Sequence, residues 1–222
     1  MIHQTTPERF AEFVHNSNLI EQIPELDYPT ILKDTQNLAL QKPNRTHTAA
    51  LATIYALAQE QKKLHLKNLL QIQGKITSEQ LVLGHPIPAK YIGQIRDCFV
   101  RIGFLRIPPP QPSALKIFFR NFNQATKLIT PKNLFQTLAD QHLIYERIHP
   151  FADGNGRTGR LLITYQFFFA QFAKKISNKI PLPLILNRKK QNYYLAFNLF
   201  DKGEKLAAIA RLADLLEEST KE

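Results

Sequence analysis

The sequence predicts an all-α protein, a helical bundle carrying one small β-hairpin flap. Apolar residues recur at three- and four-residue spacing over most of the chain, which is the period of a helix with one buried face. Helix-start residues such as Thr6-Pro7 and Thr77-Ser78-Glu79-Gln80 precede several of these runs. One segment, Ile95–Ile107, breaks the period: it alternates β-branched, aromatic and charged residues about Gly103 and ends in three prolines.

Taken in order, Thr6-Pro7-Glu8-Arg9-Phe10 predicts an N-cap with Pro at the first helical position. Thr46–Leu70 carries Leu51, Ile54, Tyr55, Ala58, Leu66, Leu69 and Leu70 on a helical face, and a helix start is expected at Thr77. A further helix is expected over Thr130–Tyr145 from Leu134, Phe135, Leu138, Leu143 and Ile144. The apolar run Leu161–Phe172 and the segments Asn192–Phe200 and Ala207–Leu216 complete the set, with Glu217, Glu218 and Glu222 in a solvated tail.

Composition narrows the function. With 222 residues, 44% hydrophobic and 21% charged, the chain can bury a sizeable core. A single cysteine, Cys98, excludes a disulfide framework and reads as a passive flap residue. No apolar run reaches the length of a membrane span, and the expected location is cytoplasmic. The net charge of +11 comes mostly from residues 61–132, with twelve basic and two acidic groups. Such a surface attracts polyanions or acidic proteins, or is a solvated face. His3, His15, His47, His65, His85 and His142 have no metal-ligand spacing and are expected to be solvated or capped.

The chemistry concentrates in Ile148–Leu162, where HPFADGNGRTGR runs straight into an apolar helix. A glycine-rich turn that opens a helix presents N–H groups to an anion. Arg157 and Arg160 stand three apart on one helical face and can address the same anion. Asp153 is a hard oxygen ligand suited to Mg²⁺, which takes one or two carboxylates together with phosphate oxygens. His149 can act as a general base near neutral pH. Base, metal ligand, anion cradle and charge clamp are the parts of a phosphoryl- or nucleotidyl-transfer site. Neither a Walker A loop nor a dinucleotide-binding fingerprint is present.

HPFADGNGRTGR resembles the signature H-P-F-x-[D/E]-G-N-G-R-x-x-R of Fic-domain proteins at every fixed position, His149, Pro150, Phe151, Asp153, Gly154, Asn155, Gly156, Arg157 and Arg160. More diffuse similarity runs from about Ser17 to Gly203. The resemblance implies a Fic-type helical bundle with a β-hairpin flap and transfer of AMP from ATP to a Ser, Thr or Tyr hydroxyl of a target protein. On that basis His149 takes the proton and Asp153 holds Mg²⁺. Gly154, Asn155, Gly156, Arg157 and Arg160 bind the phosphates, and Phe151 anchors the loop. Tyr193 and Tyr194 resemble positions near an adenine pocket and equally fit helix-core aromatics. The target would add its backbone to the flap near Ile95–Ile107 as an extra strand.

Many Fic proteins also carry an inhibitory helix with the pattern [S/T]-x-x-x-E-[G/N]. Ser17-Asn18-Leu19-Ile20-Glu21 is similar to it, and Gln22 departs from its last position. In the family the Glu pairs with the second signature Arg, here Arg160. The implied division is an N-terminal inhibitory segment at 1–45, a core at 46–205 and a C-terminal helix and tail at 206–222. The resemblance also admits the reverse reaction, removal of AMP with Glu21 positioning water, and donors other than ATP. Self-association into a homo-oligomer is left open. A nucleic-acid partner rests on net charge alone and is not expected.

Overall fold

The computed structural model describes residues 6–23, 27–37, 46–84, 87–102, 105–176 and 183–221. In chain order the elements are α1 (Pro7–Ile20), α2 (Tyr28–Asn37), α3 (His47–Gln59), α4 (Leu66–Val82), β1 (Val100–Ile102), β2 (Leu105–Ile107), α5 (Pro112–Lys127), α6 (Leu134–Ile148), α7 (Asn155–Lys174), α8 (Pro183–Arg188), α9 (Lys190–Asp201) and α10 (Lys205–Glu218). The architecture is the expected helical bundle with a two-strand antiparallel hairpin, paired Val100 to Ile107 and Ile102 to Leu105.

α7 is the axis of the bundle. It is buried almost from end to end, from Asn155 to Gln171, because α3, α6, α4, α5 and α1 all pack on it. A helix wrapped on every side must be mostly apolar all round, and Leu161–Ala173 is, with the buried Thr164 donating to Arg160 O and Gln166 to Thr126 Oγ1. One cluster of buried apolar side chains runs from Ala11 to Leu216, so the first and last described helices share a core with the middle of the chain.

Local signals account for most boundaries. The Thr6 hydroxyl accepts the Arg9 N–H and caps α1, as Thr46 caps α3 through Ala49 N–H. Three expectations need correction. Thr46–Leu70 is not one helix: the chain leaves α3 at Glu60, takes a left-handed turn at Gln61 and restarts at His65, which caps α4. Thr77 does not start a helix. It lies inside α4, where its buried hydroxyl donates to Gln73 O at 2.9 Å, so the backbone's own ladder wins over capping. The helix expected from Thr130 begins at Leu134, because the Asn133 side chain accepts the Thr130 N–H and closes a turn first.

Periodicity left α2, α5 and α8 unassigned. The acidic tail is also not a tail: Glu217 and Glu218 belong to α10, and Glu218 pairs with Lys189 at 2.6 Å. His3, His85 and Glu222 lie outside the described residues. Among the described residues no helix is long and apolar enough to cross a membrane.

Candidate active site

The site forms where α6 ends and α7 begins. His149 caps α6 in the left-handed region, at φ 47°, and five residues later Gly154 caps the start of α7 at φ 79°. Two left-handed residues reverse the chain within one short loop. Glycine is needed at 154, since a side chain there would be strained and would press on Thr77. Phe151 is fully buried and pins the loop to the core. The Asn155 side chain closes it: Oδ1 accepts the Phe151 N–H at 2.9 Å, and Nδ2 donates to Phe151 O at 2.8 Å. The Asn155 amide is therefore engaged in shaping the cradle, and the helix N–H groups are left to face a ligand.

α7 starts on Gly154 with no side-chain cap, so its first N–H groups and its positive dipole end are open to an anion. Arg157 and Arg160 are both buried on the following turn. Arg157 faces α4. Its Nη2 donates to Gln80 Oε1 at 2.5 Å and lies 3.4 Å from Asp153 Oδ1. Gln80 in turn donates to Asp153 Oδ2 at 2.8 Å, and Gln73 donates to Asp153 O at 3.1 Å.

Arg160, 1% exposed, faces α1. It donates through Nε to Ser17 Oγ at 2.9 Å, and through Nη2 to Ser17 O at 2.9 Å and Glu21 Oε1 at 2.7 Å. Burial alone would lower the Arg160 guanidinium, but the Glu21 carboxylate outweighs it and raises the group above its ordinary value. Glu21 also fills the cradle, since a Cβ at 156 would collide with its Oε1. Glycine at 156 is what admits a carboxylate, or any other anion, against the helix start.

Position 22, where the sequence carries Gln, has φ 60°. The Gln22 N–H reaches Leu19 O at 3.1 Å and the Ile23 N–H reaches Asn18 O at 3.1 Å, so α1 closes in a Schellman motif. Lys190 Nζ donates to Ile20 O at 2.7 Å and holds the same helix end from α9.

His149 Nδ1 sits 3.2 Å from the Glu146 carbonyl and 3.6 Å from Glu146 Oε2. The carbonyl requires a proton on Nδ1, which leaves Nε2 as the acceptor. Burial pushes His149 down to about 4, so the ring is neutral near pH 7. Burial, reinforced by the Glu21 charge and partly offset by Arg160, raises Glu146 to about 8. On the Arg157 side, Glu79 accepts the His47 N–H at 3.0 Å and burial raises it to about 7.

Asp153 is the metal-ligand candidate. Its side chain is 44% exposed beside the uncapped helix start, and its oxygens keep acceptor capacity beyond Gln80. Among the described residues no group of three or more His, Cys, Asp or Glu could hold a metal by itself. A single half-exposed carboxylate next to an anion cradle suits Mg²⁺ that arrives with phosphate oxygens.

The expected residues Ser17, Glu21, His149, Asp153, Gly154, Asn155, Gly156, Arg157 and Arg160 thus meet in one place. Tyr193 is buried, stacks on His142 and shares a hydrogen bond with its Nε2 at 2.7 Å. Tyr194 is 44% exposed on the outer side of α9, its ring tilted at 36° to that of Tyr193. His47 and His142 are not solvated: both are fully enclosed and pushed down by burial, with one ring nitrogen of each hydrogen-bonded, to Asn18 Oδ1 and to the Tyr193 hydroxyl. Sequence reasoning missed Gln73, Gln80, Glu146 and Arg96. The signal for the first two was available: Gln73, Thr77 and Gln80 follow the i, i+4, i+7 period and form a buried polar stripe on an otherwise apolar helix face.

Fold and site together define a helical-bundle protein whose central helix opens on an anion cradle beside a neutral histidine. Residues 63–167 match the model of the Fic/DOC family. The likeness to this family runs through that segment, slightly under half of the chain. It is similar to "Protein adenylyltransferase Fic" of Drosophila mojavensis, at 30% identity over 176 residues, covering 76% of this chain and 31% of that protein. The protein of the same name from Drosophila grimshawi is 27% identical over 175 residues, covering 77% of this chain and 32% of its own length. The chain therefore spans about a third of the length of these relatives. Among solved structures, a Fic domain containing signaling protein from Bacteroides thetaiotaomicron superposes with a TM-score of 0.63 at 20% identity, over 97% of this chain and 86% of its own. Fic-1 from C. elegans gives 0.62 at 20%, over 96% and 61%. These two likenesses establish the fold.

Proposed function

We propose that this chain is a protein adenylyltransferase, moving AMP from ATP to a Ser, Thr or Tyr hydroxyl of a target protein, and that Glu21 holds it in a low-activity state. The observation that carries the reading is the position of Glu21: its carboxylate binds Arg160 and occupies the space over Gly156 where a phosphate would meet the helix start. His149, with Nδ1 turned to the Glu146 carbonyl, offers Nε2 to the incoming hydroxyl. The hydroxyl oxygen bonds to the α-phosphorus, its proton passes to His149 Nε2, and the bond to pyrophosphate breaks. The N–H groups at the start of α7 bind phosphate oxygens, with Arg157 and Arg160 countering their charge. Asp153 would hold Mg²⁺, which when bound neutralises charge developing on the leaving group. Nucleotide negative charge near His149 would also raise its basicity from the low value that burial sets. The edges of the β1–β2 hairpin suit an added strand from the target.

The test is incubation with labelled ATP and Mg²⁺, comparing wild type, Glu21→Gly and His149→Ala. The expected result is weak self-labelling in the first, labelling raised about 5–150-fold in the second and none in the third, the range typical of a regulatory coupling. Unchanged labelling in Glu21→Gly with intact nucleotide binding would overturn the regulatory part. No labelling in any variant that binds ATP would overturn the transfer reaction. The same Glu21, part-exposed at the mouth of the site, favours a second reading in which it positions water to remove AMP from a modified protein. That reading expects Glu21→Gly to lose AMP removal while it gains transfer.

A further inference from the structure

Arg96 lies between the end of α4 and the flap, is 2% exposed, and meets no carboxylate among its described hydrogen-bond acceptors. Burying a cation without a counter-charge is costly, so its partners carry the reason for it. All of them are backbone carbonyls. Nη1 donates to Cys98 O at 2.5 Å and Ile107 O at 3.2 Å, and Nη2 donates to Pro108 O at 2.7 Å. These three close the base of the hairpin from both strands. Nε turns the other way and donates to His149 O at 2.7 Å, while the Arg96 N–H donates to Pro150 O at 3.0 Å. One residue thus bonds to both feet of the flap and to the two successive carbonyls that follow the His149 ring.

His149 needs such support. Its left-handed backbone is unfavourable for a residue with a Cβ, and persists only where surrounding bonds over-determine it. We infer that Arg96 is a positioning residue that fixes the spacing between the flap and the His149 imidazole. An acceptor chain docked on the hairpin edge would then present its hydroxyl at one set distance from the base. Only a planar fork with donors on three nitrogens can reach both sides at once, and a lysine ammonium cannot.

The inference rests on the adenylyl-transfer reading for its catalytic consequence, but not for its geometry. The experiment compares Arg96→Lys and Arg96→Gln, each in the Glu21→Gly background, by calorimetry with Mg-ATP, by self-labelling at saturating ATP, and by NMR titration of the His149 ring without nucleotide. Both variants should bind Mg-ATP within about twofold of the parent and transfer AMP at least about tenfold more slowly, the size expected for a misplaced acceptor. Arg96→Gln, which removes the charge, should also move the His149 titration to higher pH, and Arg96→Lys should move it less. Equal transfer rates in parent and variants would overturn the inference.

If the Glu21→Gly parent transfers no AMP, the functional reading fails, and Arg96 is judged by the His149 titration alone: a ring that titrates identically in parent and Arg96→Gln overturns it. If neither variant folds, native-state hydrogen exchange on the wild type decides. The amides of β1, β2, Arg96 and Phe151 should then open as one unit with a common denaturant dependence. A hairpin that opens while Arg96 and Phe151 stay protected overturns the link.

Discussion

Arg157 and Arg160 are one helical turn apart on α7 and equally buried, yet their surroundings differ in kind. The Arg157 side is built from α4 and the loop: Gln80, Gln73 and Asp153 form a closed set of hydrogen bonds next to the cradle. The Arg160 side is built from α1 and its C-cap, with Ser17 and Glu21 contributed from 143 and 139 residues away in sequence. The first neighbourhood belongs to the segment that matches the family model, and the second lies outside it. Arg157, bonded at 2.5 Å to the neutral Gln80 amide and no nearer than 3.4 Å to the Asp153 carboxylate, is the freer of the two to take a phosphate. Arg160 must first give up the Glu21 carboxylate at 2.7 Å.

The difference can be broken most severely at Arg157. In the Glu21→Gly background, Arg157→Ala should reduce AMP transfer by about 10²–10³-fold, the usual cost of a lost charge-stabilising donor. Labelled-ATP assays measure it, and a loss below tenfold would mean that the α4 side is scaffolding only.

A smaller effect concerns the buried acids, one on each side. Glu146 is raised to about 8 and Glu79 to about 7. A carboxyl raised by folding stabilises the fold below its unfolded value, and the contribution is lost as pH rises through the folded value. His149 and His142, lowered to about 4 and about 3, act in the opposite sense, but only below about pH 6.5. Between pH 6.5 and 8.5 the wild type should therefore lose stability, and Glu146→Gln should keep on the order of 1–2 kcal/mol of it. Denaturant unfolding at several pH values reads this directly, and parallel curves for the two proteins would contradict it. Glu21→Gly should flatten the slope in part, because the Glu21 charge is one cause of the Glu146 shift.

The smallest effect is at Gln22. Its positive φ closes the Schellman turn that delivers Glu21, and a glycine would adopt it without strain. Gln22→Gly should stabilise the protein by about 0.5–1 kcal/mol, raising Tm by about 1–3 °C. An unchanged or lower Tm would show that the turn is not strained.

Much of the site was legible because it is local. His149 to Arg160 span twelve residues, and glycine, charge and helix period in that stretch are enough to describe an anion cradle. Asn155 was legible as a member of that stretch, but its task of closing the loop on Phe151 was not, since an amide beside a glycine turn can serve either backbone or ligand. Thr77 misled for a related reason: a threonine near Glu marks a helix start only where backbone N–H groups are unpaired, and inside α4 they are not. Tyr193 and Tyr194 are adjacent and chemically alike, yet α9 turns one into the core and the other to solvent.

By itself the sequence determined the helical class, the hairpin and the residue types gathered in the loop after α6, because periodicity, turn residues and a contiguous signature act over a few residues. Tertiary structure alone decided that Glu21 reaches Arg160, that Gln80 holds Asp153 and that Arg96 joins the hairpin to the His149 backbone. Those bonds link residues 53 to 139 positions apart, and their geometry comes from how buried helix faces pack around α7, which no local pattern encodes.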